Sequence, residues 1–183
     1  MKFFIIHGAG GYPEENWFPW LKAELEKQGH EVVVPWFPTP ENQALENWMN
    51  VMEPYIRTFN SDTVLVAHSL GPAFAVSLLE RINVKIRACF FVAGFTGNLG
   101  IEEFDSINTT FMEKEFNWEK ARRICSEFFV YGSDNDPYVP LEMEEDFAIN
   151  LGTKMTVVNG AGHFNKKAGY AEFPRLLEDI QKL

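Results

Sequence analysis

The sequence predicts an α/β protein built on a mostly parallel, six-stranded sheet with helices on both faces. Three observations carry that prediction. Short runs rich in Val, Ile and Phe recur along the whole chain. Segments with apolar residues at helical spacing separate them. No internal repeat, low-complexity tract or Gly/Ser linker interrupts the alternation. Strands covered by helices on both faces read as near-continuous apolar runs, as these do.

The candidate strands are residues 2–6, 31–35, 63–67, 86–93, 125–131 and 154–158. Between the first two, Trp17, Trp20, Leu21 and Leu25 form one apolar face before Gly29 ends the helix. Leu45, Trp48, Met49, Met52 and Ile56 give a second helix, which Pro54 is expected to kink or split. Phe74, Val76, Leu78, Leu79 and Ile82 are apolar almost all round, the pattern of a buried helix. Leu141, Phe147 and Leu151 mark another. Phe173, Leu176, Leu177 and Ile180 mark the last, with Pro174 suited to a first helical turn.

The chain has 183 residues, of which 46% are hydrophobic and 15% aromatic. That is enough to bury a sizeable core, and residues 1–183 are expected to form one domain without a large cap. The formal charge is -10. An acidic surface argues against nucleic acid or an anionic membrane as the main partner. Cys89 and Cys125 lie in apolar runs and match neither a disulfide framework nor a zinc motif. They read as core residues of a cytoplasmic protein. No metal or other cofactor is expected.

In parallel sheets, function gathers at the carboxyl ends of the strands. After the third strand comes Ala67-His68-Ser69-Leu70-Gly71, then the apolar helix. A serine on such a strand–turn–helix elbow is held in a strained conformation with its hydroxyl exposed. The turn tolerates little bulk two residues before and after the serine, and Ala67 and Gly71 meet that need. The fifth strand runs into Ser133-Asp134-Asn135-Asp136-Pro137. Two aspartates compete there. Asp136 precedes a proline that fixes its backbone, and Asp134 suits turn bonding. The sixth strand leads to Gly160-Ala161-Gly162-His163-Phe164, where small residues let a histidine approach the serine. The order Ser, Asp, His along the chain is that of the α/β-hydrolase fold.

After the first strand come His7-Gly8-Ala9-Gly10-Gly11. Acyl transfer needs N–H donors aimed at the developing oxyanion. The N–H of Leu70 is one candidate. Ala9 supplies the second, with Gly10 as the alternative. The glycine spacing fits no dinucleotide or phosphate-binding fingerprint. His7, His68 and His30 read as structural or exposed.

These motifs, with Val139-Pro140 and Phe116-Asn117-Trp118, resemble the small serine hydrolases related to retinoblastoma-binding protein nine and their bacterial relatives. The resemblance spans nearly the whole chain. It implies a compact α/β-hydrolase core and esterase- or peptidase-like activity on small acyl compounds. It places Ser69, Asp136 and His163 at the triad positions. The Leu-x-Cys-x-Glu motif of retinoblastoma binding is absent, since Arg123-Ile124-Cys125-Ser126-Glu127 lacks the leucine. No such partner is inferred.

The expected reaction is hydrolysis of a small-molecule ester or amide through an acyl-enzyme on Ser69. It should weaken as the histidine base protonates below neutral pH. Two rivals share the residues: a binding module that retains the fold, and a thioesterase that differs only in its pocket. Gly10, Trp17, Phe95 and Phe164 are candidates for substrate contact. Trp17 and Trp20 fit core packing as well as pocket lining. Residues 95–118 could form a pocket wall or small lid, or a satellite cluster packed on the core.

Overall fold

The computed structural model describes residues 1–183. Its six strands are β1 (Lys2–Ile6), β2 (Glu31–Val33), β3 (Thr63–His68), β4 (Ile86–Val92), β5 (Cys125–Gly132) and β6 (Met155–Val157). They form one sheet in the order β2-β1-β3-β4-β5-β6. Every neighbouring pair is parallel, so the sheet is wholly rather than mostly parallel. The two edge strands are shorter than the apolar runs suggest. Beyond Val33 the chain reaches Pro35, which has no N–H to give a ladder.

Seven helices cover the sheet: α1 (Phe18–Lys27), α2 (Leu45–Ile56), α3 (Gly71–Arg81), α4 (Glu102–Met112), α5 (Trp118–Ile124), α6 (Leu141–Asn150) and α7 (Pro174–Ile180). Pro54 does not split α2. It falls in the final turn, and the helix ends at Ile56. The last two α-helices before β5, α4 and α5, lie where the sequence pattern marks no element. Acidic Glu102, Glu103 and Asp105 favour the start of α4, and the Asn117 side chain caps α5 by accepting the Lys120 N–H.

Alternation along the strands divides the core in two. Phe4, Ile6, Leu65, Ala67, Cys89 and Phe91 face a layer built from α2, α3, α5, α6 and the end of α4. Phe3, Ile5, Val64, Val66, Phe90 and Val92 face α1 and α7. Each buried Phe side chain contributes roughly 1.5–3 kcal/mol relative to exposure. A shift of register by one residue would exchange the two layers, so the pairing is strongly specified. The register sets Ile6 beside Ala67, Ala67 beside Phe91 and Val92 beside Tyr131. The carboxyl ends of the central strands are therefore level, and the loops that follow them converge. No helix is long and apolar enough to cross a membrane.

Candidate active site

β3 ends in a sharp turn at Ser69, whose φ of 61° lies in the left-handed region. That conformation costs a residue with a β-carbon roughly 1–2 kcal/mol. Neighbouring backbone enforces it. The Ser69 N–H donates to the Val92 carbonyl at 2.9 Å. α3 then starts against β1 so closely that a Cβ on Gly71 would lie 2.8 Å from the Ile6 carbonyl oxygen. A Cβ on Gly8 would lie 2.7 Å from the Ser69 Cβ. Both glycines are needed for close approach. Ala67 is fully buried in the sheet, so its methyl group is accommodated where related elbows use glycine.

The loop after β5 reaches across to the loop after β6 with three consecutive side chains. Asp134 Oδ1 accepts the Gly160 N–H at 2.7 Å, and Asn135 Oδ1 accepts the Gly162 N–H at 2.7 Å. Asp136 Oδ2 accepts from His163 Nδ1 at 2.7 Å. The other Asp136 oxygen accepts the N–H groups of Tyr138 and Val139 at 2.8 and 3.1 Å. A carboxylate can only accept, so Nδ1 carries the imidazole proton and Nε2 is free to accept. His163 Nε2 lies 3.0 Å from Ser69 Oγ. The two aspartates thus have separate places. Asp136 meets the histidine, while Asp134 ties down its loop.

Two further histidines support this arrangement. His68 Nε2 donates to the His163 carbonyl at 2.8 Å, and the two rings lie 4.8 Å apart. Burial, then the neighbouring His163, holds the His68 pKa down to about 3, so the ring is neutral. His7 Nδ1 donates to the Gly8 carbonyl at 2.8 Å, and its Nε2 accepts the Phe37 N–H at 3.1 Å. Burial lowers its pKa as well.

In the glycine loop, the Gly10 N–H already donates to Thr39 Oγ1 at 2.6 Å. The N–H groups of Ala9 and Leu70 have no acceptor within the chain. Beside Ser69 and His163 opens a cavity of about 300 Å³. Phe95, Leu99, Phe104, Tyr138 and Val139 form its apolar wall. Glu15, Asn16, Asn108, Asn165 and Lys167 supply its polar side. Burial pushes the Glu15 carboxyl up to about 7.

Of the residues expected at the substrate, Phe95 lines this cavity and three do not. Gly10 is exposed and bound to Thr39. Trp17 is fully buried, its Nε1–H donating to the Phe164 carbonyl at 3.0 Å. Phe164 is also fully buried and stacks on Phe173 with ring centroids 5.4 Å apart. Both belong to the core layer under α1 and α7, where large aromatics gain most from burial. Asn108, Asn165 and Lys167 have no local signal in the sequence. Tyr138 lies edge-on to His163 at 5.0 Å, and its neighbour Asp136 was the available clue. Residues 95–118 divide between the cavity and the main core, with no separate satellite cluster. Phe95, Leu99 and Phe104 form cavity wall, while Phe111 and Met112 pack into the core.

A serine on a strained elbow, facing a histidine above a wholly parallel sheet, defines the class: a serine hydrolase with the α/β-hydrolase fold. The family model described as serine hydrolase matches residues 3–182, and the chain belongs to that family. Its relatives include YdeN of Bacillus subtilis, 29% identical over 94% of this chain and 90% of that protein. The rat serine hydrolase RBBP9 is 25% identical over 100% of this chain and 95% of its own. The crystal structure of the YdeN product superposes with a TM-score of 0.92 at 27% identity, covering 99% of this chain and 97% of that one. The methylesterase MES16 of Arabidopsis shares the fold, with a TM-score of 0.70 at 14% identity over 100% of both chains.

Proposed function

We propose that the protein hydrolyses small carboxylic esters, and amides more slowly, through an acyl-enzyme on Ser69. The observation that carries this reading is the unbroken chain Ser69 Oγ–His163 Nε2, His163 Nδ1–Asp136 Oδ2, at 3.0 and 2.7 Å, beside a cavity. His163 takes the hydroxyl proton as Ser69 attacks the acyl carbonyl. Asp136 holds the reactive tautomer and stabilises the imidazolium. The N–H groups of Leu70 and Ala9 stabilise the oxyanion, each worth about 3 kcal/mol in comparable sites. His163 then returns the proton to the leaving group, and water hydrolyses the acyl-enzyme by the same route in reverse.

The cavity, at about 300 Å³, favours small acyl groups, and its Phe95–Leu99–Phe104 wall favours apolar ones. Its mixed walls admit thioesters on the same chemistry. A fluorophosphonate probe, mapped by mass spectrometry, tests the reading. Label on Ser69 that vanishes in Ser69→Ala is the expected result. Folded protein that takes no label would favour a binding role for the same cavity.

A further inference from the structure

Glu144, in the first turns of α6, is a carboxyl with no exposed surface. Its Oε2 accepts the Ser133 N–H at 3.0 Å. Its Oε1 is the single buried side-chain oxygen or nitrogen in the molecule without a partner. Buried polar groups are almost always paired, so this exception calls for a reason. Gly132 makes room for it, since a Cβ there would collide with Glu144 Oε2 and Met155 Sδ.

The carboxyl sits at the root of the catalytic loops. Ser133 opens the loop that carries Asp136, and its hydroxyl donates to Asn135 Oδ1 at 2.9 Å. That same oxygen accepts the Gly162 N–H, one residue before His163. The Gly132 carbonyl accepts the Val158 N–H at 2.8 Å, fixing the start of the histidine loop. Glu144 therefore holds the point from which both loops depart.

Its surroundings disfavour charge. The Asp136 charge acts on it from the loop. Gly132 and Met155, from β5 and β6, carry none. Glu142, Glu145 and Asp146 on its own helix are exposed, as is Lys154 ahead of β6. Burial pushes the carboxyl up, the Ser133 N–H draws it back, and the Asp136 charge raises it again, to about 8.

Taking Ser69, His163 and Asp136 as the reacting groups, we infer that Glu144 is a positioning residue that works as the neutral acid. Protonated, it anchors Ser133 and keeps Asp136 and His163 in register. Ionised, it would leave an unpartnered buried charge on Oε1, disfavoured further by the Asp136 charge. The carboxylate is relieved only by moving towards water, which breaks the Ser133 bond and loosens both loops. The result is an alkaline loss of kcat with KM little changed.

The test compares wild type, Glu144→Gln and Glu144→Leu on one small ester from pH 6 to 10, with thermal unfolding followed over pH 4 to 10. Wild-type kcat should fall about tenfold above pH 8, as loss of a positioning contact can cause. Glu144→Gln, a neutral isostere that still accepts from Ser133, should stay within about twofold of wild type at pH 7 and lack the alkaline fall. Glu144→Leu, which orphans the Ser133 N–H, should be about tenfold slower at every pH. The folded-state pKa is raised, so the stability Glu144 contributes is present below pH 4.5 and is lost as pH rises through about 8. The wild-type unfolding midpoint should therefore drop relative to Glu144→Gln across that window. Superimposable kcat profiles for wild type and Glu144→Gln, or an alkaline change confined to KM, would overturn the inference. If no variant turns over any ester, the hydrolase reading has failed. The midpoints then still decide, and equal pH slopes would refute a neutral Glu144.

Discussion

The two sides of the cavity are built by different means. On the side of Ser69 and His163, the strand ends of the sheet set the geometry, and the loops that leave them are pinned to one another. Ser69 is tied to Val92, Gly71 abuts the Ile6 carbonyl, and Asp134 and Asn135 hold the Gly160 and Gly162 N–H groups. On the side of α4, side chains do the work. Asp105 accepts the Leu99 and Gly100 N–H groups at 2.7 and 2.9 Å. Gln43 donates to the Ile107 carbonyl and to Asn108 Oδ1 at 3.0 and 2.7 Å, and the Leu45 N–H donates to Thr110 Oγ1. Geometry fixed by the sheet tolerates little change without losing the reaction. A wall held by side-chain contacts can change the substrate and leave the reaction intact. The first side is where the chemistry is expected to reside and the second where selectivity is.

Six substitutions test that division. The largest effect belongs to Ser69→Ala, which should lower kcat by on the order of 10⁶-fold, and Asp136→Asn, by about 10⁴-fold, both in steady-state assays of folded protein. Next comes Gly71→Ala. Its methyl group would meet the Ile6 carbonyl, so denaturant unfolding should show a loss of about 1–3 kcal/mol and kcat should fall about 100-fold. Asn135→Ala removes the Gly162 clamp and should cost about tenfold in kcat with KM little changed. Asp134→Ala loses an exposed contact and should cost less, which separates its part from that of Asp136. The smallest effect on rate belongs to Leu99→Ala. It should shift the preference between short and long acyl esters by about tenfold, at most about 1–2 kcal/mol, with little loss on the better substrate. A loss of turnover on all esters equal to that of Gly71→Ala would erase the distinction between the two sides.

A pH effect adds to this comparison. The folded-state pKa of His68 is depressed to about 3 from 6.5. Its contribution to stability is present above pH 6.5 and is lost as pH falls towards 3, at up to roughly 1.4 kcal/mol per unit. The unfolding midpoint should decline on acidification, and His68→Asn should flatten that decline.

What could be read from the sequence follows the same division. Strands β1, β3, β4 and β5 announce themselves as apolar runs, because both their faces are covered. The Ser69 elbow and His163 are legible because each follows a strand among small residues, whereas strand position leaves Asp134 and Asp136 in competition and the choice of Asp136 leans on the family resemblance. The side built by α4 is not legible. Helix α4 carries few apolar residues, and the pairing of Gln43 with Asn108 spans 65 residues. Trp17 and Phe164 illustrate the same limit from the opposite direction. An aromatic residue beside a catalytic motif can face substrate or core, and both of these rings are fully buried in the core layer under α1 and α7. Glu144 was hidden for a related reason. An acid in an amphipathic helix ordinarily faces water, and nothing local marks it as buried.

The measurement that bears most directly on the central claim is acid-quenched mass spectrometry after mixing the protein with an activated short-chain ester. The expected result is transient addition of the acyl mass to the peptide containing Ser69, absent in Ser69→Ala and longer-lived in His163→Ala. Turnover of the ester with Ser69 unmodified, or acylation at another residue, would contradict it.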